Sequence, residues 1–112
     1  MDKFEFEVIS ALRELDIPVH MKGYQFIKTA MNILRKDPSV IYAITKELYP
    51  AVAEIHDTIG SRVERGIRYA LESANSDFMT QKEVLGTSRE LTNSEFLATL
   101  HEVIRVKMAG VV

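Results

Sequence analysis

The sequence predicts an all-α fold, a compact bundle of about six helices. Three observations carry that prediction. Apolar residues recur at three- and four-residue spacing in successive segments, the spacing that lines one face of an α-helix. Pro, Gly, Asp and Asn fall between those segments, where helices stop and start. No segment alternates apolar and polar residues as a half-buried strand does, and there is no internal repeat or low-complexity stretch.

Residues 2–16 set Phe4, Val8, Ile9, Ala11, Leu12 and Leu15 among Glu5, Glu7, Arg13 and Glu14, a helical spacing that ends before Ile17-Pro18. Residues 18–22 are a loop. Gly23 then opens a second helix whose Tyr24, Ile27, Ala30, Met31 and Leu34 share a face, ending near Lys36. Asp37 as N-cap with Pro38 behind it starts a third, running to about Leu48 with Ile41, Ile44 and Leu48 inward. Pro50 begins a short helix over residues 51–56. Asp57-Thr58 breaks the chain, with Thr58 as N-cap of a helix lasting to about Asn75. Asn75-Ser76-Asp77 turns into a short helix from Phe78 to Leu85, stopped by Gly86. Residues 87–91 are loop. Thr92-Asn93-Ser94-Glu95 is a capping-box pattern ahead of Phe96, Leu97, Leu100, Val103 and Ile104, on a last helix that reaches about Met108.

Core packing accounts for Phe4, Phe26, Tyr42, Tyr49, Phe78 and Phe96. Met21, Met31, Met79 and Met108 fill gaps or belong to a partner surface. Ala109-Gly110-Val111-Val112 is an apolar tail that frays, packs or mediates association.

A chain of 112 residues with 46% hydrophobic content is expected to form one domain, residues 1–112. It contains no cysteine, which excludes a disulfide framework, a thiolate metal site and a cysteine nucleophile. No apolar run approaches a membrane span, and Met1-Asp2-Lys3-Phe4-Glu5 lacks the basic-then-apolar order of a signal peptide, so a soluble cytoplasmic protein is expected. His20, His56 and His101 are too dispersed for a metal set. The five glycines are isolated, so there is no phosphate-cradling loop. Glu5, Glu7, Glu14 and Asp16 are solvated helix-face acids. No catalytic residues, metal or cofactor are expected.

Fourteen basic against sixteen acidic residues give a net charge of −2, and the pI near 5.9 lies well below that of a basic nucleic-acid footprint. Local charge matters more, because screening confines exposed charges to about 8–10 Å. Between Thr58 and Tyr69 the sequence has three arginines and one glutamate. At about 100° per residue, Arg62, Arg65, Arg68 and Tyr69 point away from Val63, Ile67 and Ala70.

That face follows the short helix as the second member of a helix-turn-helix. Close crossing in such a pair needs a small residue in the first helix and an aliphatic one ten positions on, and Ala53 and Val63 satisfy this. Val52 is a further anchor. Asp57 takes the turn position usually held by glycine, which aspartate tolerates, and His56 takes a site that is often apolar. An ordinary amphipathic helix with a solvated charged face has the same pattern. Arg65 can bond guanine O6 and N7, and Glu64 can accept from cytosine N4. Glu64 and Arg68 also suit an i,i+4 pair, Ser61 with Glu64 a capping box, and Arg65 a stack on Tyr69. Gly66 permits close backbone approach, to DNA or to the first helix of the pair.

Four blocks go further: Ile17-Pro18-Val19-His20-Met21-Lys22-Gly23-Tyr24, Ile44-Thr45-Lys46-Glu47-Leu48-Tyr49-Pro50, Ser61-Arg62-Val63-Glu64-Arg65-Gly66-Ile67-Arg68 and Thr92-Asn93-Ser94-Glu95-Phe96. In this order they closely resemble the C-terminal effector domain of the stage zero sporulation protein A family. The resemblance implies a six-helix domain whose helix from about residue 59 to 75 enters the major groove of a TGTCGAA-type box in double-stranded DNA. It implies base contacts at Glu64, Arg65 and Arg68. Ser61 and Arg62 match positions at the groove edge and phosphates, Tyr69 stands where a histidine is common, and Gly66 replaces an alanine. The loop from Gly86 to Thr92 is shorter than in typical members and lacks their Lys-Pro stretch, leaving Arg89 as the local substitute for a phosphate contact. Lys22 lies in a loop where it can also touch phosphate.

The expected function is a sequence-specific transcriptional regulator, not an enzyme, with a neighbouring copy on tandem boxes and RNA polymerase as further partners. The family's phosphorylatable receiver domain is not in these 112 residues. Either a dissected effector domain or a stand-alone relative fits, and Met1 does not decide between them. Without a receiver, occupancy is expected to follow concentration and weak head-to-tail contacts. The alternative is a helical protein-interaction module that modulates a full-length regulator without productive DNA binding. Acidic composition and the short loop favour it; the intact arginine helix disfavours it.

Overall fold

A computed structural model describes residues 1–110, with helices α1 (Lys3–Glu14), α2 (Lys22–Lys36), α3 (Tyr49–Ile55), α4 (Gly60–Glu72), α5 (Phe78–Leu85) and α6 (Asn93–Met108). Val111 and Val112, half of the apolar tail, lie outside the described residues. Among the described residues there is no strand, and the fold is all-α. Helix α2 is central: Gly23, Tyr24, Phe26, Ile27, Ala30, Met31 and Leu34 are buried around it. It packs against α4, α1, α6 and α3.

Local chemistry explains most boundaries. Asp2 caps α1 by accepting from the Glu5 amide at 2.9 Å. Asp77 caps α5 through the Thr80 amide at 2.8 Å. Gly86 ends α5 in the left-handed conformation at φ 76°. The expected capping box opens α6, Thr92 accepting from the Glu95 amide while the Glu95 carboxylate accepts from the Thr92 amide.

The region after Asp37 differs from expectation. Asp37 caps as expected, but Pro38–Ala43 is a 3₁₀ helix and Ile44–Leu48 a π turn that runs without a break into α3. Two causes are visible in the sequence. Val40 and Ile41 are β-branched and lower α propensity. Pro50 has no N–H, and its ring clashes with the carbonyl four residues back in a regular helix; the π turn, with the Tyr49 amide donating to the Ile44 carbonyl, widens the chain there. Ile44 and Leu48 still face inward, whereas Ile41 is half-buried.

Tyr42 and Phe78, expected in the core, lie outside, and of the methionines expected to fill gaps or form a partner surface, Met79 and Met108 lie on the surface. Tyr42 is 91% exposed, on the outer side of the 3₁₀ segment. Phe78 and Met79 are each 74% exposed, because α5 is docked at its C-terminal end by Leu85 and its first turn stands off the body. His101, by contrast, sits in the core, and burial lowers its pKa.

Candidate nucleic-acid interface

The turn between α3 and α4 is built from a helix stop. The Thr58 amide donates to the Ala53 carbonyl at 2.9 Å and the Asp57 amide to the Glu54 carbonyl at 3.4 Å. Asp57, at φ 54°, takes the left-handed position that glycine usually holds. Thr58 closes α3 with its amide, and the N-cap of α4 falls one residue later. That place belongs to Ile59, which makes no side-chain cap bond, and no Ser61–Glu64 capping box forms. Helix α4 ends at Glu72, short of the expected Asn75.

The two helices meet as the spacing required. Val52 and Val63 are fully buried and Ala53 nearly so, with Ile67 and Ala70 continuing the buried side of α4. Ser61, Arg62, Arg65, Arg68 and Tyr69 are exposed on the other side. His56 is accommodated by polarity: its Nε2 pairs with Thr29 Oγ1 at 2.7 Å, and its ring meets Phe26 edge-on at 5.1 Å.

Helix α2 is the second support. A Cβ on Gly23 would lie 2.1 Å from the Gly66 carbonyl oxygen, and one on Gly66 would lie 2.8 Å from the Phe26 ring. The close approach at Gly66 is thus to α2, not to α3. This crossing also brings Lys22, exposed at the start of α2, beside the middle of α4.

The arginines are not equivalent. Arg68 Nη1 donates to both Glu64 carboxylate oxygens at 2.9 and 3.1 Å, Nε lies 3.8 Å from Glu72, and the guanidinium sits 5.6 Å from the Tyr69 ring centre. The arginine over Tyr69 is therefore Arg68 and not Arg65. Among the described residues, Arg62, Arg65 and Lys22 make no ion pair. Arg89 lines the same groove as Arg68, a space of about 900 Å³ between α4, α5 and the 87–91 loop. Its guanidinium grips Glu95 at 2.7 and 3.3 Å. Sequence reasoning missed the tie from Asn93 to Glu64, whose 2.8 Å bond joins the start of α6 to α4.

The Arg89 guanidinium, and after it the Thr92 amide, hold the Glu95 carboxyl at about 2. A carboxyl depressed in the folded state adds stability that is complete above its ordinary 4.5 and is lost as pH falls through about 2. The melting-temperature gap between the unaltered chain and Arg89→Ala should therefore be constant above about pH 5 and close as pH approaches about 2. A gap that widens in acid would show that Arg89 acts otherwise.

Among the described residues no group of three or more His, Cys, Asp or Glu is placed to hold a metal ion. No helix among them is long and apolar enough to cross a membrane. An arginine-faced helix, carried by two supporting helices and open on its polar side, has the shape and charge that an all-α DNA-binding regulatory domain requires. The family model described as "Sporulation initiation factor Spo0A C terminal" matches residues 8–104. The chain belongs to this family, one of DNA-binding regulatory domains and not of enzymes.

Proposed function

We propose that this chain is a sequence-specific transcriptional regulator of the sporulation-initiation type, with α4 reading a TGTCGAA-like box in the major groove of double-stranded DNA. The observation that carries the reading is the open polar face of α4, where Ser61, Arg62 and Arg65 stand opposite the buried Val63, Ile67 and Ala70. In this reading α3 and α4 act as a helix-turn-helix. Arg65 forks onto guanine O6 and N7, Glu64 accepts from cytosine N4, and Arg68 completes the base-reading set. Ser61, Arg62, Tyr69 and Lys22 border the groove and meet phosphates, which position the domain without specifying sequence. Arg89 joins them by leaving Glu95. A second copy on a tandem box and RNA polymerase are the partners of the remaining surface, and the cytoplasm is the place of action.

The test is binding to a duplex carrying the box and to a scrambled duplex of equal length. A clear preference for the box is expected. Equal, weak binding to both would sink the proposal and leave the second reading, an interaction module acting on a full-length regulator. That reading is favoured by the exposed Phe78 and Met79, an apolar pair that DNA has no use for.

A further inference from the structure

Asn93 opens α6 directly after Thr92, yet the reciprocal capping box of Thr92 and Glu95 is complete without it. Its side chain reaches across to α4. There Nδ2 donates to the Glu64 carbonyl at 2.8 Å and lies 3.5 Å from Glu64 Oε1. Both facing atoms are acceptors, so the amide must present its nitrogen. From the opposite direction Arg68 grips the Glu64 carboxylate. Glu64 is thereby flanked on both sides: its carboxylate is held by a cation one turn along its own helix, and its backbone carbonyl is held by an amide from another helix that also stands 3.5 Å from Oε1.

From this geometry we infer that Asn93 is a positioning residue for base reading: it sets the conformation in which Glu64 meets the groove, without touching DNA itself. The inference rests on the proposed reading of Glu64 as a base contact. A glutamate side chain free in solution loses rotamer freedom when it binds, and here that freedom is given up beforehand, in folding. Selectivity at one base pair then depends on how α6 is seated against α4.

Binding of the whole chain to the box, to the box with the Glu64-contacted pair changed, and to a scrambled duplex tests this. Asn93→Ala is expected to lower the preference at that one pair by about 3- to 10-fold, the range that one freed side chain allows. Binding to the scrambled duplex should be unchanged. Asn93→Asp places an acidic residue in the first turn of α6, which a helix N-terminus favours, while setting a like charge against Glu64. It should lose at least as much preference with the helical circular dichroism intact. In a Glu64→Ala background neither substitution should change the preference. Losses of equal size on all three duplexes would make Asn93 merely structural and overturn the inference. So would full discrimination by both variants. A wild-type chain with no preference for the box would instead overturn the DNA reading, and this inference with it.

Discussion

An alanine at Gly23 is expected to destabilise the fold by about 3 kcal/mol, the upper end of the usual range for overpacking. The added methyl would lie 2.1 Å from the Gly66 carbonyl oxygen and 2.6 Å from the Ala70 Cβ. Neither atom can swing aside, since one is backbone and the other is a first side-chain carbon. Helices α2 and α4 must part, which opens the contacts of Ile67 and Ala70. Urea denaturation measures the effect. In an unobstructed helix, glycine to alanine is worth about 1 kcal/mol in the stabilising direction, so a raised midpoint would refute the crossing. Gly66→Ala is the milder companion. Its methyl meets the Phe26 ring at 2.8 Å, the far end of a side chain, and the helix-propensity gain offsets part of the shift.

The second large effect is on recognition. Arg65→Ala is expected to weaken binding to the TGTCGAA-type box by about 1–3 kcal/mol, the worth of a bidentate guanine contact, while barely changing the scrambled duplex. Arg65 makes no ion pair among the described residues, so truncating it breaks none within the protein. Arg68→Ala should cost less, because Arg68 must first loosen its bonds to Glu64 and Glu72. Fluorescence anisotropy on both duplexes distinguishes the two. An equal loss on both would assign Arg65 to phosphate and not to base.

Elements governed by their own residues were legible in the sequence. The buried Val63, Ile67 and Ala70 opposite exposed Arg62 and Arg65 follow from helical spacing alone. So do the Thr92–Glu95 box and the stop at Gly86. Contests between neighbouring signals were harder. Thr58 has the chemistry of an N-cap, but it closes the preceding helix onto Ala53 and α4 starts one residue later, after Ile59. Ile41, Ile44 and Leu48 keep a helical spacing that a 3₁₀ segment and a π turn mimic closely, and the absent N–H of Pro50 decided the outcome. Contacts between distant segments left no mark. Nothing near Gly23 announces that it faces Gly66, and Asn93 in the sequence looks like the filler of a capping box.

The pairing of Arg89 with Glu95 bears on the ions around the complex. Duplex DNA sheds condensed cations in proportion to the phosphates a protein neutralises, about 0.9 in the slope of log K against log salt for each. A guanidinium that leaves its own carboxylate for a phosphate frees an acid that recruits a cation in turn, so the exchange releases little. Lys22 and Arg62 are the phosphate-facing cations without such a partner among the described residues. Two such contacts correspond to a slope of only about −1.8. An acidic domain that reads DNA with few uncommitted cations would hold its box through swings of ionic strength that strip a more basic protein from its site.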